Sequence, residues 1–134
     1  MTTKLEDVVE SGWSYFDLVE QKTPTEMVKE YAKVSEQKPD TDLYQTLIDE
    51  EFVEWYDEAN TGTNAAELKE LADLLYVIYG YANARGWDVG EALERVHKNN
   101  MGRMYQPDGT IKRRADGKIV KNPDYPKVSL EDLL

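Results

Sequence analysis

The sequence predicts an all-α protein: a bundle of four to five helices followed by an irregular C-terminal segment. Three observations carry that prediction. Apolar residues recur at helical spacing through most of residues 4–100. Helix-start signals stand at the head of successive apolar stretches. The turn-forming pairs Asp108-Gly109, Asp116-Gly117, Asn122-Pro123 and Tyr125-Pro126 collect only after Met101.

From Lys4 to about Glu20, Leu5, Val8, Val9, Trp13 and Phe16 keep helical spacing around Gly12, which predicts an interrupted or weak first helix. Thr23-Pro24-Thr25-Glu26 opens the next one. Thr23 is the expected N-cap, Pro24 suits the first helical position, and Glu26 completes a capping box. That helix is expected to turn Met27, Val28, Tyr31 and Val34 inward and to stop before Lys38-Pro39-Asp40. A third helix runs from about Thr41 to Ala59, with Tyr44, Ile48, Phe52, Trp55 and Ala59 on one stripe. Asn64 and Glu67 read as a second capping box, for a long helix to about Arg85 closed by Gly86. Asp88 and Glu91 form a third, opening a helix to about Asn100. Beyond Met101 the turn signals allow either a small hairpin or an extended loop. Ser129, followed by Glu131 and Asp132, reads as the cap of a last helical turn.

A length of 134 residues fits one domain, here with residues 1–22 as an N-terminal extension and 102–134 as a basic loop and tail. The chain has no cysteine, which excludes disulfides, thiolate metal sites and thiol nucleophiles. Its single histidine, His97, excludes multi-histidine metal sites and is expected to be structural, neither ligand nor base. No apolar run reaches the ~18 residues of a membrane span, and no signal-peptide core stands at the N-terminus. A cytoplasmic protein with no membrane partner is the expectation. The net charge of −11 argues against nucleic-acid binding. That charge is uneven. Residues 1–97 carry 22 acidic and 8 basic side chains, whereas residues 98–127 carry 8 basic and 3 acidic ones.

Some of the acids sit where acids are costly. On a 100° wheel Glu51 falls inside the apolar stripe formed by Tyr44, Leu47 and Trp55, and Glu54 falls on its edge. Asp73 is the only charge in the twelve residues from Leu71 to Ala82, and Glu70 precedes it by one turn. If the two helices run antiparallel, the four carboxylates converge. Charges about 5 Å apart repel by roughly 3 kcal/mol per pair at an effective dielectric near 20. Nearby cations are scarce: Lys69 and Arg85 alone lie between Lys38 and Arg95. Either those few cations pair with the acids, or a hard divalent ion such as Mg²⁺ does.

The pattern Glu50-Glu51-x-x-Glu54 followed by Glu70-x-x-Asp73 resembles the E-E-x-x-E … E-x-x-D signature of the MazG-like, all-α NTP pyrophosphohydrolases. That superfamily also holds phosphoribosyl-ATP pyrophosphohydrolase and the dimeric dUTPases. Residues 96–101 (VHKNNM), 116–121 (DGKIVK) and 123–126 (PDYP) are similar to the tail V-H-x-S-N-M-x-K … D-G-K-x-x-K-x-P-x-Y of its phage-type branch. Asn99 replaces the usual Ser, and Arg103 stands where Lys is expected. The resemblance spans residues 27–127.

The resemblance implies a helical bundle that cleaves nucleoside triphosphates between the α and β phosphates, giving a monophosphate and pyrophosphate. It implies Glu51, Glu54, Glu70 and Asp73 as ligands of Mg²⁺, with Mn²⁺ a substitute. Glu50 and Glu51 become the catalytic carboxylates, with Glu50 either activating water or simply solvated. Asn100, Arg103 and Lys121 take roles around the substrate phosphates, where a cationic loop suits a polyphosphate. A homodimer or homotetramer is implied, since the apolar helix 71–82 exceeds what a small monomer must bury. Trp55, Tyr76, Tyr79, Tyr81 and Trp87 read as core or interface, with stacking on a base as the alternative for one of them. Phosphoribosyl-ATP hydrolysis is the second enzymatic reading. A non-catalytic metal- and nucleotide-binding assembly module is the third.

Overall fold

A computed structural model describes residues 21–134, so the helix expected between Lys4 and Glu20 lies outside the described residues. Four α-helices follow one another: α1 (Pro24–Val34), α2 (Thr41–Thr61), α3 (Asn64–Arg85) and α4 (Val89–Arg103), with a closing 3-10 turn at Glu131–Leu133. Among the described residues there is no strand, and no helix is long and apolar enough to cross a membrane.

The caps explain where the helices start. Thr23 Oγ1 accepts from the Glu26 amide while the Glu26 carboxylate accepts from the Thr23 amide, closing the expected capping box. Asp40 caps α2 through the amides of Asp42 and Leu43, a signal the sequence reading passed over. The expected cap at Asn64 is corrected by one residue. Thr63 accepts from the Ala66 amide, and Asn64 is the first helical residue. Asp88 caps α4 through the Glu91 amide. Gly86 ends α3 at φ 76°, a left-handed conformation that an L side chain resists.

The two-residue connection Gly62-Thr63 folds α3 back along α2, and α1 packs across α3. The helices approach closely at Gly80. A Cβ there would stand 2.3 Å from the ring of Tyr44, which is one of the few buried side chains. Gly80→Ala is therefore expected to destabilise the fold by about 1–3 kcal/mol, because Tyr44 must move out of the α2–α3 interface. Chemical denaturation of the two proteins measures it.

Burial within one chain is much thinner than the helical stripes predict. Val28 is buried, but Met27, Tyr31 and Val34 of the same helix are exposed, and so are Phe52 and Ala59 on α2. On α3 only Gly80 and Ala82 are buried, although the sequence of that helix reads as apolar nearly all round. The reason is geometric: each helix meets the others along one narrow line, and its remaining apolar side has no neighbour among the described residues.

Past α4 the two Asp-Gly turns form in sequence rather than as one hairpin. Gly109 (φ 84°) and Gly117 (φ 88°) turn the chain, and Asp108 and Asp116 accept from the Thr110 and Lys118 amides. Each turn closes on one isolated bridge, Tyr105 with Ile111 and Arg113 with Ile119. The stretch between the turns is too short for a ladder. The tail then returns along α4. Asn122 donates its amide to the Arg103 carbonyl, Asn99 holds the Pro126 carbonyl, and the Tyr125 ring lies on Gly102. Arg95 makes a two-pronged pair with Asp132 at 2.6 and 2.9 Å and a third contact with Glu91. The last helical turn forms, but Leu130 precedes it, and Ser129 does not cap it.

Candidate active site

The antiparallel α2–α3 pair places Glu51 on one wall and Glu70 and Asp73 on the other. Carboxylate oxygens of these three residues lie within 4.8 Å of one another. All three are half-buried, and one oxygen each of Glu51 and Glu70 is buried with no hydrogen-bond partner. Buried carboxylate oxygens without a donor are costly, and here the neighbouring groups are themselves anions. Glu54, one turn along α2, is exposed and stays outside the triplet that the four-acid expectation included it in, though it is close enough to act on Glu51. Glu50 faces solvent.

The electrostatic consequence falls on Glu51. Burial pushes its carboxyl up to about 7, helped by the hydrogen bond with Glu54 and by the charges of Glu54, Asp73 and Glu70. One cation relieves part of the load: Lys69 pairs with Asp73 at 2.5 Å and reaches Glu70 at 3.5 Å. Its side chain is 67% exposed, so it screens the mouth of the cluster and leaves the buried oxygens of Glu51 and Glu70 unpaired. An all-oxygen set with orphaned acceptors fits a hard divalent cation.

A pH dependence follows. A carboxyl whose pKa is raised by folding stabilises the metal-free protein below its ordinary pKa, and that contribution is lost as pH rises through about 7. A cation needs the carboxylate form. Divalent-ion affinity is therefore expected to rise with pH up to about 7 and then level, with proton release on binding below that pH. Calorimetric titrations in buffers of different ionisation heat check this, and an affinity unchanged between acidic and neutral pH contradicts it.

Beside Glu51 and Asp73 opens a cavity of about 410 Å³, walled in part by Tyr31, Tyr44 and Tyr76. Tyr31 and Tyr76 meet edge to face with centroids 5.7 Å apart. Burial, with Tyr31 nearby, raises the phenols of Tyr44 and Tyr76, so both remain neutral donors. The sequence named Tyr76 but not the wall it belongs to, because Tyr31 and Tyr44 come from two other helices.

The basic residues form a separate group. Asn100 is exposed, Arg103 is half-buried with its Nε unpartnered, and Lys121 is exposed beside the Asn122–Arg103 backbone bond. None of them lines the cavity at Glu51 and Asp73. α4 makes no extensive contact with α2 or α3; near its start it borders a cavity shared with Thr25 and Asn83. His97 is exposed.

The sequence model of the phosphoribosyl-ATP pyrophosphohydrolase family matches residues 14–100, a span that contains all four helices up to Asn100 and every acid of the cluster. A comparison with curated proteins gives no match. The 116–126 segment lies beyond the matched span. An acidic cluster between two antiparallel helices, in an all-α chain matched over more than half its length, thus has a family context: the protein belongs to the phosphoribosyl-ATP pyrophosphohydrolase family of MazG-like, divalent-metal-dependent pyrophosphohydrolases, hydrolases that act on phosphoric anhydrides.

Proposed function

We propose that the protein hydrolyses nucleoside or deoxynucleoside triphosphates between the α and β phosphates, releasing a monophosphate and pyrophosphate. The observation that carries this reading is the convergence of Glu51, Glu70 and Asp73, with orphaned oxygens, beside a nucleoside-sized cavity in a chain of this family. Glu51, Glu54, Glu70 and Asp73 would hold Mg²⁺, with Mn²⁺ able to replace it. When bound, such an ion lowers the pKa of water and neutralises charge on the phosphates. The carboxylates would hold the ion, and through it would set where the polyphosphate lies. The attacking water's proton passes to a carboxylate at the solvent edge, for which Glu50 is placed next to Glu51 on α2. Water adds to the α-phosphorus as the bond to the bridging α–β oxygen breaks, and pyrophosphate leaves with that oxygen.

The family match favours phosphoribosyl-ATP equally, since that compound offers the same α–β anhydride. A panel of all NTPs and dNTPs with phosphoribosyl-ATP, run with Mg²⁺ and with EDTA, separates the two. Turnover of triphosphates supports the first reading. Turnover of phosphoribosyl-ATP alone assigns the second. The phage-type tail motif in residues 96–126 supports the triphosphate reading.

The site is also proposed to be completed by a second copy of the chain. Leu68, Leu71, Leu75 and Ile78 are spaced three, four and three residues apart on α3, opposite Asp73, and all are exposed. Leu68 is 66% exposed and Leu75 52%. A stripe of this spacing suits a helix of a partner copy, as a homodimer or within a homotetramer. The basic α4–tail unit, held to itself by Arg95–Asp132 and Tyr125–Gly102, is complementary in charge to the acidic α2–α3 wall, and we propose that it meets that wall on another copy of the assembly. Arg103, Lys121 and Asn100 are proposed to grip the phosphates there in trans.

A further inference from the structure

Gln37 and the tyrosine-walled cavity are not used by the phosphate chemistry. The cavity shares Glu51 and Asp73 with the carboxylate cluster, so a nucleotide whose phosphates are held at those acids has its nucleoside within reach. Its remaining wall, including Val28, Leu47 and Val77, contains no lysine or arginine, which makes it a poor place for phosphates. At about 410 Å³ it falls within the size range of small-molecule sites, roughly 300–1,000 Å³. Aromatic walls with neutral hydroxyls take a flat, polar-edged ring.

Gln37 supplies the one side-chain amide in that wall, and the backbone around it is unusual. Helix α1 ends in a Schellman turn: the Gln37 amide donates to the Ala32 carbonyl at 2.8 Å and the Glu36 amide to the Lys33 carbonyl at 3.3 Å. The residue in the left-handed position is Glu36, at φ 56°. Every other positive φ among the described residues belongs to a glycine. A glutamate held in that conformation stores strain, and strain of this kind gathers at functional positions. Here it places the next residue, half-buried, in the lining of this cavity and of a smaller neighbouring one.

We propose that this cavity receives the nucleobase of the substrate and that Gln37 reads the edge of the base, making it the specificity-determining residue. The assignment rests on the pyrophosphohydrolase reading above for what binds the phosphates. A carboxamide presents one donor and one acceptor side by side, the pairing that base edges offer. A carboxylate at the same place only accepts, so it suits the exocyclic amines of cytosine and adenine and opposes the oxo groups of uracil and thymine.

The test measures equilibrium binding of α,β-imido analogues of dATP, dCTP, dGTP and dUTP, with Mg²⁺, to the wild-type protein and to Gln37→Glu and Gln37→Ala. Turnover of the ordinary nucleotides is followed separately. The wild type is expected to discriminate among the four bases. Gln37→Ala is expected to flatten that preference, and Gln37→Glu to move the dCTP-to-dUTP affinity ratio toward dCTP by about tenfold or more, without changing the thermal transition of either variant. Tyr31→Ala is expected to weaken all four analogues together. A wild type that binds the four equally, or not at all, overturns the assignment, and so does a variant that keeps the wild-type preference. Selective binding without any turnover contradicts the hydrolase reading and leaves the base pocket standing, whereas turnover with a base preference indifferent to Gln37 does the reverse.

Discussion

Asp73→Asn is expected to lower Mg²⁺-dependent turnover by at least about a hundredfold, the upper end of what is lost when groups that only orient metal ligands are removed. The same substitution should leave the metal-free protein as stable as the wild type or more so. Asp73 lies within 4.8 Å of Glu51 and Glu70, and its charge is one of those that hold the Glu51 proton in place. Removing it relieves repulsion, at the cost of an ion pair with Lys69, whose side chain is mostly exposed. Activity and stability thus move in different directions. A merely structural Asp73, capped by Lys69, predicts a loss of stability with turnover kept. Steady-state kinetics and thermal unfolding in EDTA distinguish the two.

A larger effect in the opposite sense is expected from mixing two inactive variants. Asp73→Asn disables the acidic wall, and Arg103→Ala removes a proposed phosphate contact. If each site joins the acidic wall of one copy to the α4–tail unit of another, a mixed dimer has one site carrying both lesions and one carrying neither. Co-folding the variants in equal amounts is then expected to restore about a quarter of wild-type turnover. If both groups act within one chain, mixing restores nothing. The contrast is close to all-or-none, because neither variant alone has an intact site. It bears directly on why Arg103 and Lys121 do not line the cavity at Glu51 and Asp73, and why the Leu68–Ile78 stripe is exposed among the described residues.

Much of the architecture was legible in the residues. Pro24, Gly86 and the caps at Thr23 and Asp88 mark helix ends by local chemistry, and local chemistry does not depend on what packs where. Thr63 and Asn64 are both good caps, and only the backbone angle at the junction chooses Thr63. Convergence of Glu51, Glu70 and Asp73 followed from the wheel positions of two helices joined by a short loop. Glu54 was expected to converge with them, but it is exposed and stays outside the triplet, because its position on the edge of the stripe turns it away from α3. Burial was overestimated for Tyr31, Val34 and Phe52, since an apolar stripe reports that a face wants cover without saying which chain covers it. Gln37 carried no signal at all. Its place depends on Glu36 adopting a conformation that its side chain disfavours, and residue type argues against that conformation.

In the proposed reaction water attacks the α-phosphorus of a nucleotide at the Glu51–Glu70–Asp73 cluster. Hydrolysis of a triphosphate in ¹⁸O-labelled water, with Mg²⁺ and with EDTA, tests it in one experiment. The label is expected in the nucleoside monophosphate, pyrophosphate is expected to be unlabelled, and EDTA is expected to abolish both products. Label in pyrophosphate, or release of diphosphate and inorganic phosphate, contradicts it.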